Sequence, residues 1–385
     1  MNQKRKQLSA LLLAALMTAA LCACGGGKEP PAPESSGSVQ TVSSGSASAS
    51  VPAPAGSSEE PEEESKLVMD FAGDINLDDE WHVMKALRER GARDISQAID
   101  PLLIQDMRAA DLCCINNEFA YSDRGSPMKG KTYTFRAKPE NVSVLKDLGA
   151  DVVTLANNHV FDYGEDAFLD TLDTLKGAGV EYVGAGRNLS EAMSPVYCKL
   201  DGLNVAIVNA TRAEKNIMTP EAEEESPGVL RCYETERFEK VIREADSRAD
   251  VVVCCVHWGT EYSQKLEWAQ RSSAKKYIEA GADVIVGTHA HCLQGIEYYN
   301  GVPVFYNLGN YWFNEKELET CLLELTVSGT QGNWSLSARI IPALQKNCKT
   351  TALSGAEGQK VFQTMERISI NAGIRPDGTV YEKES

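Results

Sequence analysis

The chain has 385 residues, 43% hydrophobic and 24% charged, with a formal net charge of −17. That length holds one large domain or two. So acidic a chain with no visible basic groove argues against a nucleic-acid partner, and it leaves little electrostatic attraction for an anionic membrane surface.

The first element is an export signal. Lys4, Arg5 and Lys6 precede an apolar stretch over 8–21 and the small-residue site Leu21-Cys22-Ala23-Cys24, too short and wrongly flanked for a spanning helix. It resembles a bacterial lipoprotein signal, which implies a signal peptide over 1–23 and lipidation of Cys24. Residues 24–65 are Gly, Ser, Pro, Ala and Glu with almost no large apolar side chain, so they cannot bury a core and are expected to be a disordered tether. A coil of that length spans about 35 Å r.m.s.. Together these segments predict a protein lipid-anchored to the cell membrane on its extracytoplasmic face.

A globular domain is expected over 66–345, followed by a C-terminal helix and tail over 346–385. Its first strand, 67–72, runs into Gly73-Asp74. Helices over 79–90 and 99–109 lead to a strand over 111–115 that ends in Asn116-Asn117-Glu118. A long loop or short hairpin fills 125–136. A helix over 139–148 stops at Gly149, and a strand over 151–156 ends in Asn157-Asn158-His159. Helix 165–176 and strand 181–183 follow, then a hairpin of 197–200 with 205–209. The Glu-rich stretch 211–230 has no core periodicity and reads as a solvated loop, or alternatively as a mobile lid. Helix 235–247, strand 250–256 ending on His257, and helix 266–281 restore the alternation. The β-branched run 284–286 then leads into Gly287-Thr288-His289-Ala290-His291. Short strands over 295–299 and 302–306, an antiparallel pair over 320–327 and 334–341, and a helix over 359–367 complete the chain. Alternating helix and strand predict an α/β fold with parallel pairing.

Five strand-like runs therefore finish on a carboxylate, amide or imidazole, and ligands in α/β folds gather at the carboxyl ends of strands. His289 and His291 stand at i and i+2, which in an extended backbone points both rings the same way. Asp74, Glu118, Asn158, His257, His289 and His291 offer oxygens and imidazoles without thiolate, a set suited to Mn, Zn, Fe or Mg. Six ligands exceed one tetrahedral ion and suit two divalent ions about 3.5–4 Å apart with a bridging carboxylate. His159, next to a candidate ligand, is the candidate to protonate a leaving group. Taken singly, Asp74 or Asn158 reads as a helix cap and His257 as a core histidine; their recurrence at five strand ends favours metal. His82 reads as a surface residue. Trp258, Tyr262, Trp312 and Asn310 are candidate cleft residues, and Arg187, Arg212, Lys215 and Arg271 are candidate cations for an anionic substrate. Nine cysteines follow Cys24, an odd number with adjacent pairs at 113–114 and 254–255. They read as small buried hydrophobes rather than a disulfide framework.

The combination Gly73-Asp74, Asn116-x-Glu118, Ala156-Asn157-Asn158-His159 with Asp162 and Gly164, His257-Trp258-Gly259-x-Glu261-Tyr262, Gly287-x-His289-x-His291 and Asn307-Leu308-Gly309-Asn310 resembles the poly-γ-glutamate capsule biosynthesis proteins of CapA/PgsA type, over about 66–313. That family looks like a branch of the calcineurin-like metallophosphoesterases. The resemblance implies a four-layer α/β/β/α sandwich, with Asp74 and His291 on one ion, Asn158, His257 and His289 on the other, Glu118 bridging, and His159 as general acid. The sequence departs from the phosphoesterases in having Asn76 where they have a histidine and Glu118 where they have an aspartate. The implied function is capsule polymer biosynthesis or export, with poly-γ-glutamate or a phosphate ester as ligand and membrane synthase or export subunits as partners. A secreted phosphoesterase unrelated to capsule and a non-catalytic polymer-binding scaffold are the alternatives.

Overall fold

The structure is a computed structural model that describes residues 65–91, 94–200, 202–214, 218–330 and 332–384. The signal peptide, Cys24, the tether as far as residue 64, and Lys215 lie outside the described residues.

Apolar runs become strands, and the central strands divide their side chains between two cores. The first sheet is built on β1 (Ser65–Ile75), which pairs in parallel with β2 (Leu112–Asn117), and this in turn with β3 (Val152–Thr154) and β4 (Glu181–Val183). The second holds the hairpin β5 (Val196–Leu200) and β6 (Leu203–Thr211), then β7 (Val251–Trp258), β8 (Val284–His289), β9 (Leu293–Tyr299) and β10 (Val302–Leu308), in spatial order β9-β10-β8-β7-β6-β5. The chain then returns to the first sheet. Short β11 (Asn310–Trp312) pairs in parallel with β1, and the antiparallel strands β12 (Leu318–Thr330), β13 (Asn333–Lys346) and β14 (Lys349–Ala352) extend its other edge. Both sheets are mixed, with parallel pairs at their centres.

Three apolar cores stack these sheets into four layers. Met69 and Phe71 of β1 and Cys114 of β2 meet Val205, Ile207, Val253, Cys255 and Val286 of the second sheet. On the other face of the first sheet, Cys113, Ile115 and Val153 pack with Leu103 and Met107 of α2 (Pro101–Ala109), Leu145 and Leu148 of α3 (Ser143–Leu148), and Phe168, Leu172 and Leu175 of α4 (Glu165–Ala178), alongside Val83 of α1 (His82–Glu89). The outer face of the second sheet, with Val252, Cys254, Val256 and Ile285, packs with Phe238 and Ile242 of α5 (Glu236–Asp246) and Tyr277 and Ile278 of α6 (Trp268–Ala280). Helices, sheet, sheet, helices is the expected α/β/β/α sandwich. The adjacent cysteine pairs face opposite cores, as neighbours on a strand must, and the nine described cysteines are free thiols.

Several expectations are corrected. The stretch after 345 is more than a helix and tail. Val361, Phe362 and Met365 of α7 (Gly355–Ile368), with Ala372, Ile374 and Val380 beyond it, belong to the core between the sheets. A helix whose apolar face completes a core belongs to the domain whatever its place in the chain. Much of the described part of the Glu-rich stretch 211–230 is folded onto the body, while Glu223, Glu224 and Glu225 stay exposed. Gly228–Val229 pairs with Ala185–Gly186, Thr219 and Ala222 are buried, and buried Arg231 donates to the carbonyls of Thr219 at 2.9 Å and Glu214 at 2.9 Å. The helix expected over 79–90 starts later, at His82, after an Asn76–Asp78 turn in which Asn76 Oδ1 accepts from the Asp78 N–H at 2.8 Å.

Candidate metal centre

The five strand ends meet at one edge of the interface between the sheets. Gly73 lets them meet. Its backbone passes so close to the Asn307-Leu308-Gly309-Asn310 turn that a Cβ there would lie 2.0 Å from the Gly309 carbonyl oxygen, and Asp74 N–H donates to that oxygen at 3.1 Å. Glu118 is the first residue past β2, its N–H donating to the Ile75 carbonyl at 3.3 Å. Asn157 Oδ1 accepts from His159 N–H at 2.9 Å and Val160 N–H at 3.0 Å, a side-chain turn that fixes the Asn158-His159 loop. His257 is the penultimate residue of β7 and His289 ends β8.

The i, i+2 argument for the two histidines fails in detail. His289 has φ +94° and His291 φ +54°, so the backbone there is left-handed, a strained choice for residues with a Cβ. The rings still converge, with centroids 6.1 Å apart, and the His257 ring lies 4.6 Å from that of His289.

Two groups of ligand atoms result, each within 4.8 Å: Glu118, His257 and His289 in one, and Asp74, Glu118 and His291 in the other. All five residues are buried. Asn158 joins the first group, its Oδ1 2.8 Å from His257 Nε2, and His257 Nε2 is 3.4 Å from Glu118 Oε1. Surrounding residues orient the set. Asn116 Nδ2 donates to Asp74 Oδ1 at 2.7 Å and Asn116 Oδ1 accepts from Thr154 at 2.9 Å. His257 Nδ1 lies 3.0 Å from Thr288 Oγ1. Asn310, expected at the substrate, instead holds His291: its Oδ1 is 2.7 Å from His291 Nδ1, which is also 3.2 Å from Asp74 Oδ2. An oxygen accepting at Nδ1 turns Nε2 toward the cluster.

Burial dominates the electrostatics. It pushes the Glu118 carboxyl well above the usual range, the charges of Asp74 and Glu261 adding to the effect and Lys131 opposing it. Burial pulls His257 and His289 well below the imidazole range, helped in each by the neighbouring histidines. Burial also works to lower His291, but the hydrogen bond and charge of Asp74, with Glu261 and Asn310, outweigh it and leave that imidazole raised. Neutral imidazoles are the form that binds metal. Glu118 Oε1 and His289 Nδ1 are buried with no hydrogen-bond partner, and buried Asp74 Oδ2 faces the His291 ring at 3.2 Å, itself a candidate ligand. Buried polar atoms are rarely left unpartnered, and here two orphans share one cluster of hard donors, which fits divalent metal.

His159 lines a cleft of about 270 Å³ together with His291, Tyr262, Trp81, Phe135 and Glu261. Its Nδ1 is 2.7 Å from Asp162 Oδ2. Tyr262 is 44% exposed, its ring 5.6 Å from that of His291. His82 is exposed at the rim, 3.2 Å from Glu315. The other expected cleft residues lie elsewhere. Trp258 is fully buried in the outer core, with Nε1 donating to the Tyr306 carbonyl at 2.9 Å; it follows His257 on the strand and so faces the opposite side. Trp312 is buried among the helices, its Nε1 donating to the Cys348 carbonyl at 3.1 Å. Arg212 turns from the cleft to the Tyr233 carbonyl and ring, Arg187 pairs with Asp173, and Arg271 pairs with Glu297.

One cation that sequence reasoning missed stands at the site. Lys131 has a side chain only 7% exposed, its Nζ 2.7 Å from Asp162 Oδ1, 2.8 Å from Glu214 Oε1, and bonded to the Asn158 carbonyl. It joins the Asn158-His159 loop to the segments before and after it. Nothing in the local pattern of its loop distinguishes this lysine from Lys129.

The family described as "Bacterial capsule synthesis protein PGA_cap" matches residues 68–315. The chain is 36% identical over 248 residues to the PGA biosynthesis protein CapA of Bacillus subtilis (strain 168), a match covering 64% of this chain. It spans 63% of that relative's length. It is 30% identical over 312 residues to the capsule biosynthesis protein CapA of Bacillus anthracis, covering 79% of this chain and 74% of that one. Among solved structures it is similar to a putative 5'-nucleotidase from Staphylococcus aureus, at 16% identity and a TM-score of 0.45, covering 79% of this chain and 58% of the other.

Proposed function

Given that the chain belongs to the bacterial capsule synthesis protein PGA_cap family, we propose that it serves assembly or export of an anionic capsule polymer from a membrane tether. We further propose that its buried cluster holds two divalent ions and acts on a phosphate ester. The observation that carries the second part is the pair of orphaned atoms on Glu118 and His289 within one buried set of hard donors that also holds Asp74, His257 and His291. Asn158, His257 and His289 would hold one ion, Asp74 and His291 the other, and Glu118 both. When bound, such a pair supplies charge neutralisation at a phosphoryl centre and acidifies water.

The protein's own residues supply the rest. Asp162 accepts at His159 Nδ1 and so fixes the ring, leaving Nε2 as the atom that gives a proton to a leaving oxygen. Lys131 holds the other carboxylate oxygen of Asp162 at 2.7 Å. Asn116 and Asn310 keep Asp74 and His291 in place.

Metal content is the test. Mature protein reconstituted with Mn, Zn or Fe is expected to carry up to two ions per chain by elemental analysis and to hydrolyse phosphate esters. Glu118→Ala is expected to lower the occupancy of both sites, since its carboxylate serves each group. Reconstituted wild type that stays metal-free overturns the reading.

A further inference from the structure

The loop between β7 and α6 has two sides. Glu261 and Tyr262 face the metal cleft, whereas Thr260 and Ser263 line a separate open hollow of about 900 Å³. The turn is held in shape. Tyr262 adopts φ +56°, its N–H donates to the Ala290 carbonyl at 2.7 Å, and Gln294 Nε2 donates to the Ser263 carbonyl at 2.8 Å.

The hollow's charge runs against that of the molecule. In a chain of net charge −17, it gathers Lys265, Arg271 and Lys275. Trp268, Arg271 and Lys275 stand at i, i+3 and i+7 of α6, hence on one face, and all are exposed. Trp268 is 83% exposed. The hollow's acid, Glu267, is engaged by Thr260 at 2.7 Å and by the cap of α6. Arg271 is matched by Glu297 at 2.7 Å, while Lys275 lies over the Tyr299 ring at 5.2 Å. The metal cleft carries charges of both signs on its walls, Glu261 and Glu315 with Lys316. The hollow beside the cleft therefore attracts a polyanion.

We propose that this hollow is a docking site for a polycarboxylate chain, one stretch of the anionic polymer lying along α6 while the metal cleft acts on a different group. Carboxylates of the polymer accept hydrogen bonds from Lys265 and Lys275 Nζ, and the apolar stem and amides between them lie on the Trp268 indole. Thr260 and Ser263, whose hydroxyls are bonded to Glu267 and to the Lys265 backbone, shape the end of the hollow. The idea rests on the polymer role proposed above but not on the metal cluster or on ester hydrolysis.

Purified mature protein is titrated with poly-γ-glutamate while tryptophan fluorescence and heat are followed, in parallel with a Lys265→Glu/Lys275→Glu variant and with Trp268→Ala. The double variant is expected to bind roughly tenfold or more weakly, to lose most of the salt dependence of binding, and to keep wild-type metal content and melting temperature. Trp268→Ala is expected to weaken binding and remove most of the fluorescence change. Equal binding by wild type and double variant overturns the site, as does absence of binding to wild type at low salt. Tighter binding to vesicles of anionic phospholipid than to the polymer also overturns it. Metal loading and ester hydrolysis by the same samples report on the cluster separately, so failure of one reading is distinguishable from failure of the other.

Discussion

At the scale of single residues, the centre depends on what each side chain's second polar atom does. His291 Nδ1 is taken by Asn310 at 2.7 Å and His257 Nδ1 lies 3.0 Å from Thr288, so the geometry of each ring is set by a neighbour rather than by its own torsions. His159 follows the same logic through Asp162. If His159 is a proton donor, His159→Ala is expected to keep metal and fold yet lose about 10²–10⁴-fold in turnover on an ester with a poor leaving group. On nitrophenyl phosphate, whose leaving group needs no proton, the loss shrinks. A loss independent of leaving group, accompanied by metal loss, points instead to a structural role for the ring. Asn76 illustrates the reverse case, for its oxygen is spent within its own turn on the Asp78 N–H.

At the scale of elements, β1 carries both the site and a liability. Its even and odd positions serve two cores, and Asp70 falls on the face toward the helices. There it is 1% exposed with Oδ1 unpartnered. Burial, with the charges of Glu324 and Asp106 and against that of Arg339, pushes its carboxyl from 3.8 to about 7. The folded protein binds this proton more tightly than the unfolded chain does. The group's contribution is therefore fully present below about pH 4 and is lost as pH rises to about 7. Asp70→Asn removes that dependence. The variant is expected to exceed wild type in stability at pH 8, by at most about 4 kcal/mol, and the difference is expected to shrink at pH 5. Urea midpoints at the two pH values check this, and a pH-independent difference rules out the assignment. The helix α7 shows a different dependence of element on fold, because its apolar face has a partner only in the core between the sheets.

At the scale of the whole molecule, four layers bring strand ends from two sheets to one place, and β11 carries the chain from the second sheet back to the first beside Asp74. Anchoring belongs to this scale as well. If Cys24 carries lipid, the folded unit works within reach of a membrane rather than free. Cys24→Ala is then expected to abolish incorporation of an alkyne fatty acid and to shift the protein from the membrane fraction to the soluble one. Equal labelling of variant and wild type removes the lipid anchor from the proposed function.

Local pattern alone determined much of this protein. Branched apolar runs such as 284–286 and 251–256 announce strands because strands buried on both faces have no polar positions to interleave. The polar residues that end them, Asp74, Glu118, Asn158, His257 and His289, are legible because nothing apolar can replace them at an edge where ligands collect. What the pattern could not determine was direction and partnership across the chain. Period-two alternation puts Trp258 opposite His257 but does not say which of them faces the cleft, and only the packing of α6 on the second sheet decides it. The left-handed turn at His289 and His291 is bonded to the Tyr262 N–H through the Ala290 carbonyl and to Asn310 through the His291 ring, both distant in sequence. Lys131 is an ordinary loop lysine until the fold closes Asp162, Glu214 and the Asn158 carbonyl around it, since an ion pair requires proximity that no local sequence encodes.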